Sequence, residues 1–390
     1  MRTPLAAALL TVTLALALAL GLSACADPRA NPHVSFALGG ASTTPLVSDE
    51  DFAASMRDYP LVLNSGMFTE PLPGLQGAYG LRSRFGSDRY DLGVSRDYTP
   101  QGMTVGDGQI FVSAYDHSQE QNSVIFVLDG SGNYLKTIGL ANKAHVGGLG
   151  YDLERHLLWV ADSDDGHAVI SAITQDAIDD YRLTTSKPIE YALSLYVDSL
   201  PAASVLDFYQ DEIWLGYFTT DADQAQLQVY TLDFSEPHDD GSIDLVDVGP
   251  PNSATEVDGD VHVVPDLAFR APSMIQGLAV ADDHVYITQS FGAKHSSRLT
   301  RYDFNVTDTA ITLENGRTAK LPPYVEQVAL ADFDDKPYIF PLFESTQPAY
   351  RAKTDKIVDR ILAIPESEFD KEAKAEAKAP VLTEIPASGG

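Results

Sequence analysis

From about residue 59 to residue 365, apolar and polar positions alternate in short runs broken by Asp, Gly and Asn. A period of two puts successive side chains on opposite faces of an extended chain, so each run predicts a half-buried strand. Typical runs are Gln109-Ile-Phe-Val-Ser-Ala-Tyr115 and Ser123-Val-Ile-Phe-Val-Leu-Asp129, the second closed by the turn Asp129-Gly-Ser-Gly-Asn133. Helical periodicity is confined to a turn or two around Gln175–Tyr181 and to the Glu/Lys/Ala-rich stretch Glu366–Lys378, which predicts a charged helix ahead of a frayed tail, 379–390. The only long apolar run is Leu5–Leu20.

Self-comparison shows that the strands repeat. Gln101-Gly-Met-Thr-Val-Gly-Asp-Gly-Gln-Ile-Phe-Val runs parallel to Gln276-Gly-Leu-Ala-Val-Ala-Asp-Asp-His-Val-Tyr-Ile, and weaker copies begin at Gly147, Ser204 and Glu326. Each unit is a small-residue-rich strand, a turn, an apolar-aromatic strand, a polar loop and a third strand, often with a fourth. Four-stranded antiparallel units recurring at blade-like intervals predict an all-β fold, a β-propeller. Five blades are expected, with closure by a strand from 61–95; six blades would require 59–100 to form a blade of its own. A β-sandwich pair would not place Gln-Gly at equivalent points of two units.

The N-terminus predicts an address. Arg2 followed by the apolar run has the form of an export signal. Leu22-Ser-Ala-Cys25 resembles the lipobox of bacterial lipoproteins, which implies lipidation of Cys25, the one cysteine of the chain, and residence outside the cytoplasmic membrane. The organisation expected is a signal at 1–24, a tether at 25–58, the propeller at 59–365, and a helix with tail at 366–390. With 26 Lys+Arg against 56 Asp+Glu, a formal charge of −30 argues against nucleic acid as a partner. One cysteine excludes an internal disulfide and a Cys-based zinc site. The membrane, through Cys25, is the partner expected, and the protein is expected to be monomeric.

Innermost propeller strands line the channel, and loops at one face form the usual binding funnel. Aligning the units puts Gln101, Gly147, Ser204, Gln276 and Glu326 at equivalent strand starts, with His145 just ahead of one. The second-strand ends supply Asp116, His117, Asp162, Asp164, Gln289, Ser290 and Glu344. Gln101, His117, Gln276, Gln289, Ser290 and Glu326 are the candidate ligand-binding residues. Glu344 and His145 are the candidate catalytic pair, because imidazole and a carboxyl in apolar surroundings suit proton transfer near neutrality. Structural roles compete: Gln-Gly can serve close strand approach and backbone capping, His145 a turn, and Glu344 an ion pair with Arg351 or Arg298. Asp162-Ser-Asp164-Asp-Gly166 has the alternating carboxylates of a calcium loop but lacks its distant Glu, leaving Ca2+ at Asp162 and Asp164 as an open alternative.

Gln276-Gly-Leu, Ile287-Thr-Gln-Ser-Phe-Gly292 and Ser296-Ser-Arg-Leu299 resemble the repeat of plant and bacterial type glutaminyl cyclases, five-bladed propellers. The strong match covers about 25 residues; the rest shares blade grammar with lactonase-like and NHL-like propellers. Gln289 stands at the position of that family's catalytic Glu, whereas Phe-Glu-Ser occurs one unit later at Phe343–Ser345. His145-Val-Gly-Gly, Gln276-Gly, Gln289-Ser-Phe-Gly and Phe343-Glu-Ser together are also similar to a group of secreted bacterial propellers. Three functions follow as expectations: a lipoprotein that binds a peptide, glycan or small molecule at the channel mouth; an extracellular enzyme there, such as one cyclising N-terminal glutamine through Glu344; or an interaction scaffold using its acidic surface.

Overall fold

The computed structural model describes residues 36–65, 70–84, 88–164, 167–235, 238, 242–247, 255–257, 260–307 and 310–375. Cys25 and the expected tail lie outside these residues. The strands form a five-bladed β-propeller. Blade 1 comprises Tyr98–Gly106, Gln109–Asp116, Val124–Asp129 and Tyr134–Gly139, each strand antiparallel to the next. Blade 2 comprises Leu149–Asp152, Leu157–Asp164, His167–Thr174 and Leu193–Tyr196. Blade 3 is Val205–Tyr209, Glu212–Gly216, Gln226–Thr231 and Leu267–Arg270. An insertion in blade 3 reaches back to the edge of blade 2, where Asp260–His262 pairs in parallel with Leu193–Tyr196.

Blade 4 is Ile275–Val280, His284–Gln289, Ser297–Thr307 and Ala310–Leu321, to which Lys374–Ala375 adds a fifth strand. Blade 5 has Val325–Phe333, Lys336–Phe343 and Ile364–Pro365. Its outer edge is completed from the start of the chain: Leu72 N–H donates to Asp359 O and Ile361 N–H to Glu70 O, both at 2.9 Å. This N-to-C closure falls inside the expected 61–95 region. The following hairpin, Ala78–Ser83 with Tyr90–Ser95, lies beside blade 1 and is not a sixth blade. Blades 5 and 1 adjoin directly at the axis, where Met103 N–H donates to the Gln327 side chain at 2.9 Å.

Apolar side chains alternate onto the faces where blades meet, giving five clusters. Phe126 and Phe340 pack between blades 1 and 5, Trp159 and Tyr230 between 2 and 3, Trp214 and Tyr302 between 3 and 4. The inner strands approach so closely that a Cβ on Gly148 or Gly277 would lie 2.4 Å from Leu206 N or Gln327 Cα. Glycine in the repeat therefore serves close strand approach.

Two segments differ from expectation. Residues 36–58 are not simply a tether: Asp49–Ser55 is a helix capped by Ser48, and Phe52, Met56 and Tyr59 pack into the cluster between blades 4 and 5. The C-terminal helix is shorter than predicted, Glu366–Glu372, because Phe369 is buried and the chain then turns into the added strand of blade 4. The helix Gln175–Asp180 is where the periodicity placed it. Among the described residues no helix is long and apolar enough to cross a membrane.

Candidate functional site

The inner strands of blades 1, 4 and 5 share an irregularity at their starts. Pairing slips between Pro100 and Met103, between Ile275 and Gly277, and between Val325 and Val328. Such bulges re-aim side chains, and the residues inside them include Gln101, Gln276 and Glu326. Hydroxyls from the second strands reach carbonyls at the entry of the next blade. Ser113 donates to Val146 O at 2.6 Å, and Thr288 donates to Glu326 O at 2.6 Å.

Glu344 follows the second strand of blade 5, its N–H bonded to Tyr324 O at 3.0 Å. It meets Glu326 side chain to side chain, so two carboxyl groups share a buried site. Gln101 donates to Glu344 Oε2 at 3.3 Å, and Gln276 to Glu326 Oε1 at 3.0 Å. Burial pushes Glu344 up to about 7. Burial and the adjacent Glu344 charge drive Glu326 well above the usual carboxylate range. Both carboxyls are thus raised, the arrangement expected of two carboxyls that cannot both ionise at close range, and they titrate as a pair. Among the described residues neither makes an ion pair, so the competing structural role of Glu344, an ion pair with Arg351 or Arg298, does not form there.

Aromatic rings wall this pair. Tyr324 and Tyr350 stack at 4.9 Å between centroids, and Tyr115 stacks on His145 at 4.0 Å. The Tyr115 hydroxyl is 2.9 Å from His117 Nδ1, and the His117 ring meets Tyr350 edge-on. Burial raises Tyr115 and Tyr350, and the negative field of Glu344 adds to it. His145 is lowered by desolvation against its neighbours and then by His117, so it is the neutral imidazole at pH 7. Gln101, Glu326, Gln276, Glu344, His117 and His145 thus come together around Tyr115 and Tyr350. His145 reaches the carboxyl pair through Tyr115, without a hydrogen bond to Glu344 among the described residues.

Other candidates stand apart. Gln289 donates to Ser273 O at 2.8 Å, on its own blade, and Ser290 is buried beside it with its N–H on Met274 O. Asp162 spends its oxygens on Asn142, the Ser163 N–H and the Tyr191 hydroxyl. The Asp164 side chain lies outside the described residues, and no group of three or more His, Cys, Asp or Glu among them could hold a metal.

Gln327 is the functional residue that motif reading passed over. Its Oε1 accepts from Met103 and Leu149 N–H, each at 2.9 Å, and its Nε2 donates to Leu149 O at 2.6 Å and Leu206 O at 2.8 Å. One buried amide thus joins blades 1, 2, 3 and 5 at the axis. The signal was in the repeat: Gly102, Gly148 and Gly277 occupy the aligned column in which Gln327 stands.

No protein-family model matches the chain. No curated protein matches it. Among solved structures it is similar to a putative glucose dehydrogenase-type oxidoreductase of Thermus thermophilus, at 13% identity and TM-score 0.36 over 77% of this chain and 97% of that one. A family 43 β-xylosidase/α-arabinofuranosidase from a compost metagenome gives 11% and 0.36 over 74% and 94%. Hydrazine synthase of Kuenenia stuttgartiensis gives 12% and 0.30 over 68% and 74%. No activity is carried over from these proteins.

Proposed function

We propose that the protein is an exported, lipid-anchored propeller that binds an amine-bearing ligand at its channel mouth and performs acid–base chemistry on it. The observation that carries this reading is the Glu326–Glu344 pair, which holds one proton near neutrality beside two glutamine amides. A carboxylate buried without a Lys or Arg partner favours a cation in its place, and the Tyr faces around it favour an ammonium too. Oε1 of Gln101 and of Gln276 accept no hydrogen bond among the described residues, leaving two acceptors for ligand N–H groups. Gly147 and Ser204 keep the blade 2 and 3 side of the rim small.

Cyclisation of an N-terminal glutamine fits these groups. The α-amine attacks its own side-chain amide carbon, a C–N bond forms, and ammonia leaves as the lactam closes. Glu344 takes the first proton from the bound ammonium to free the amine, the carboxyl pair relays the amine's second proton to the departing nitrogen, and the first leaves with ammonia as ammonium, so protons balance over the cycle. Export and anchoring rest on the Leu22–Cys25 motif.

The test is ammonia release from peptides beginning with Gln, with binding measured separately by calorimetry. Glu344→Gln should lose about 100-fold or more in kcat, the scale of general acid–base catalysis, with a smaller loss in binding, since Gln101, Gln276 and the tyrosine faces remain. An unchanged kcat in that variant would overturn the mechanism. Tight binding without turnover by the native chain would leave a pure binding protein.

A further inference from the structure

The chain carries more than two acids for every base, yet at the rim of blade 4 two cations stand directly opposite each other. Arg298 on the third strand pairs in register with Lys320 on the fourth. Residues opposed in an antiparallel ladder point to the same face, as the adjacent Thr300–Thr318 hydroxyl bond at 2.8 Å confirms. Like charges so placed repel and destabilise the pairing. In a protein of charge −30, a carboxylate between them would be easy to supply, but neither cation has an ion-pair partner among the described residues.

Both cations line a pocket of about 580 Å³ together with Phe291, His295, Ser296 and Thr318. The guanidinium lies over the Phe291 ring at 5.2 Å and the Lys320 ammonium over Tyr59 at 4.8 Å, so each is braced by an aromatic face. Tyr59 is itself held by Ser296 at 3.1 Å. Thr318 and Lys320 also line an adjoining hollow of about 250 Å³ with Asp58, Glu372 and Lys374. The larger volume is that of a small-molecule site and exceeds what a bare ion needs.

We propose that this pocket is an anion-binding site, taking the carboxylate or phosphate of a sugar-sized molecule. The Arg298 fork receives the oxyanion in bidentate fashion, Lys320 supplies the second charge, and the hydroxyls of Ser296 and Thr318 meet ligand hydroxyls. The bound anion relieves the repulsion between the two cations, which explains why the fold tolerates their juxtaposition. This site is separate from the carboxyl pair at the channel mouth and stands or falls independently of it.

Calorimetric titration of the full chain with glucuronate, inorganic phosphate and glucose at low ionic strength tests the proposal. Glucuronate should bind with heat that declines as salt is added, and glucose should give none. Phosphate binding alone would mark a bare oxyanion site and overturn the sugar-sized reading; glucose binding equal to glucuronate, or no binding by any of the three, would overturn the proposal. Arg298→Gln should weaken glucuronate roughly tenfold or more, the scale of one charge-assisted hydrogen-bonded contact. Lys320→Gln serves as the second reading. It should lose affinity while its unfolding temperature stays level or rises, because a repelling charge is gone. Lower thermal stability with unchanged affinity would show that the two cations serve the fold and would refute the site.

Discussion

Gln327 shows how one side chain can stand in for a missing strand partner. The innermost strands are too crowded for side chains in blades 1, 2 and 4, where glycine fills the column, and the single amide admitted there satisfies four backbone groups at once. Leaving buried backbone groups unpaired costs about 1–3 kcal/mol each. Gln327→Ala should therefore destabilise by at least about 3 kcal/mol, lowering the melting temperature by roughly 4 °C or more for a domain of this size. Gln327→Met separates packing from hydrogen bonding, since it fills the space but caps nothing; a melting point near that of the native protein would show that packing alone matters. At this scale the sequence was only half legible. The repeat exposed Gln101, Gln276, Glu326 and Glu344 as mouth residues, because chemistry-bearing side chains at equivalent strand starts are visible by alignment. The proton-sharing of Glu326 with Glu344 was not, since it depends on a bulge in one blade and a strand end in the same blade arriving at one point.

Among the elements, the C-terminal helix Glu366–Glu372 is a latch on blade 4. Glu366 sits 3.2 Å from His284 Nε2 and 3.6 Å from Arg301, and accepts from the Tyr286 hydroxyl at 2.7 Å, while Asp370 is 3.1 Å from Arg301 and 2.7 Å from Arg317. The close contact with His284, with Tyr286 and Arg301 adding to it, holds Glu366 down to about 2, and His284 is raised by its two carboxylate neighbours against the cost of burial. The sign follows from linkage. The Glu366 contribution is present above the ordinary carboxyl range and is lost as pH falls toward 2. The His284 contribution is complete below about 6.5 and is lost as pH rises through the raised value. The latch is thus strongest between roughly pH 5 and 6.5. Glu366→Gln should lower the melting temperature more at pH 6 than at pH 9, and equal losses at both would show that His284 takes no part. Composition disclosed this segment as helical and charged, but it gave no sign of where Phe369 would dock or that Lys374–Ala375 would join a sheet.

For the whole molecule, acidity and closure pull in opposite directions. A charge of −30 keeps the chain soluble but loads the compact state with self-repulsion, and a ring whose last blade has only three strands of its own is open to failure at that seam. The seam is closed from the other end of the chain. Asp359, fully buried, accepts from the Leu46 and Val47 N–H groups at 2.6 and 2.9 Å; Arg360 bridges Asp359 and Asp49, at 3.0 and 2.7 Å, and lies 4.1 Å from the Phe52 ring centre. Reading 25–58 as tether missed this because Ala, Pro, Ser and Thr dominate the segment, and the spacing of Phe52, Met56 and Tyr59, which is that of one helix face continued by a turn, was the signal available. Burying Phe52, Met56, Leu61 and Val62 contributes about 1.5–3 kcal/mol per side chain, a total comparable to the whole net stability of about 5–15 kcal/mol for a typical protein. A chain beginning at Phe36 should accordingly unfold in one cooperative thermal transition, whereas one beginning at Pro73, lacking both the helix and the Glu70–Leu72 segment bridged to blade 5, should show no such transition by calorimetry. A cooperative transition in the shorter chain within a few degrees of the longer would mean that blade 5 stands on three strands, and that the N-terminal closure belongs to the surface and not to the ring.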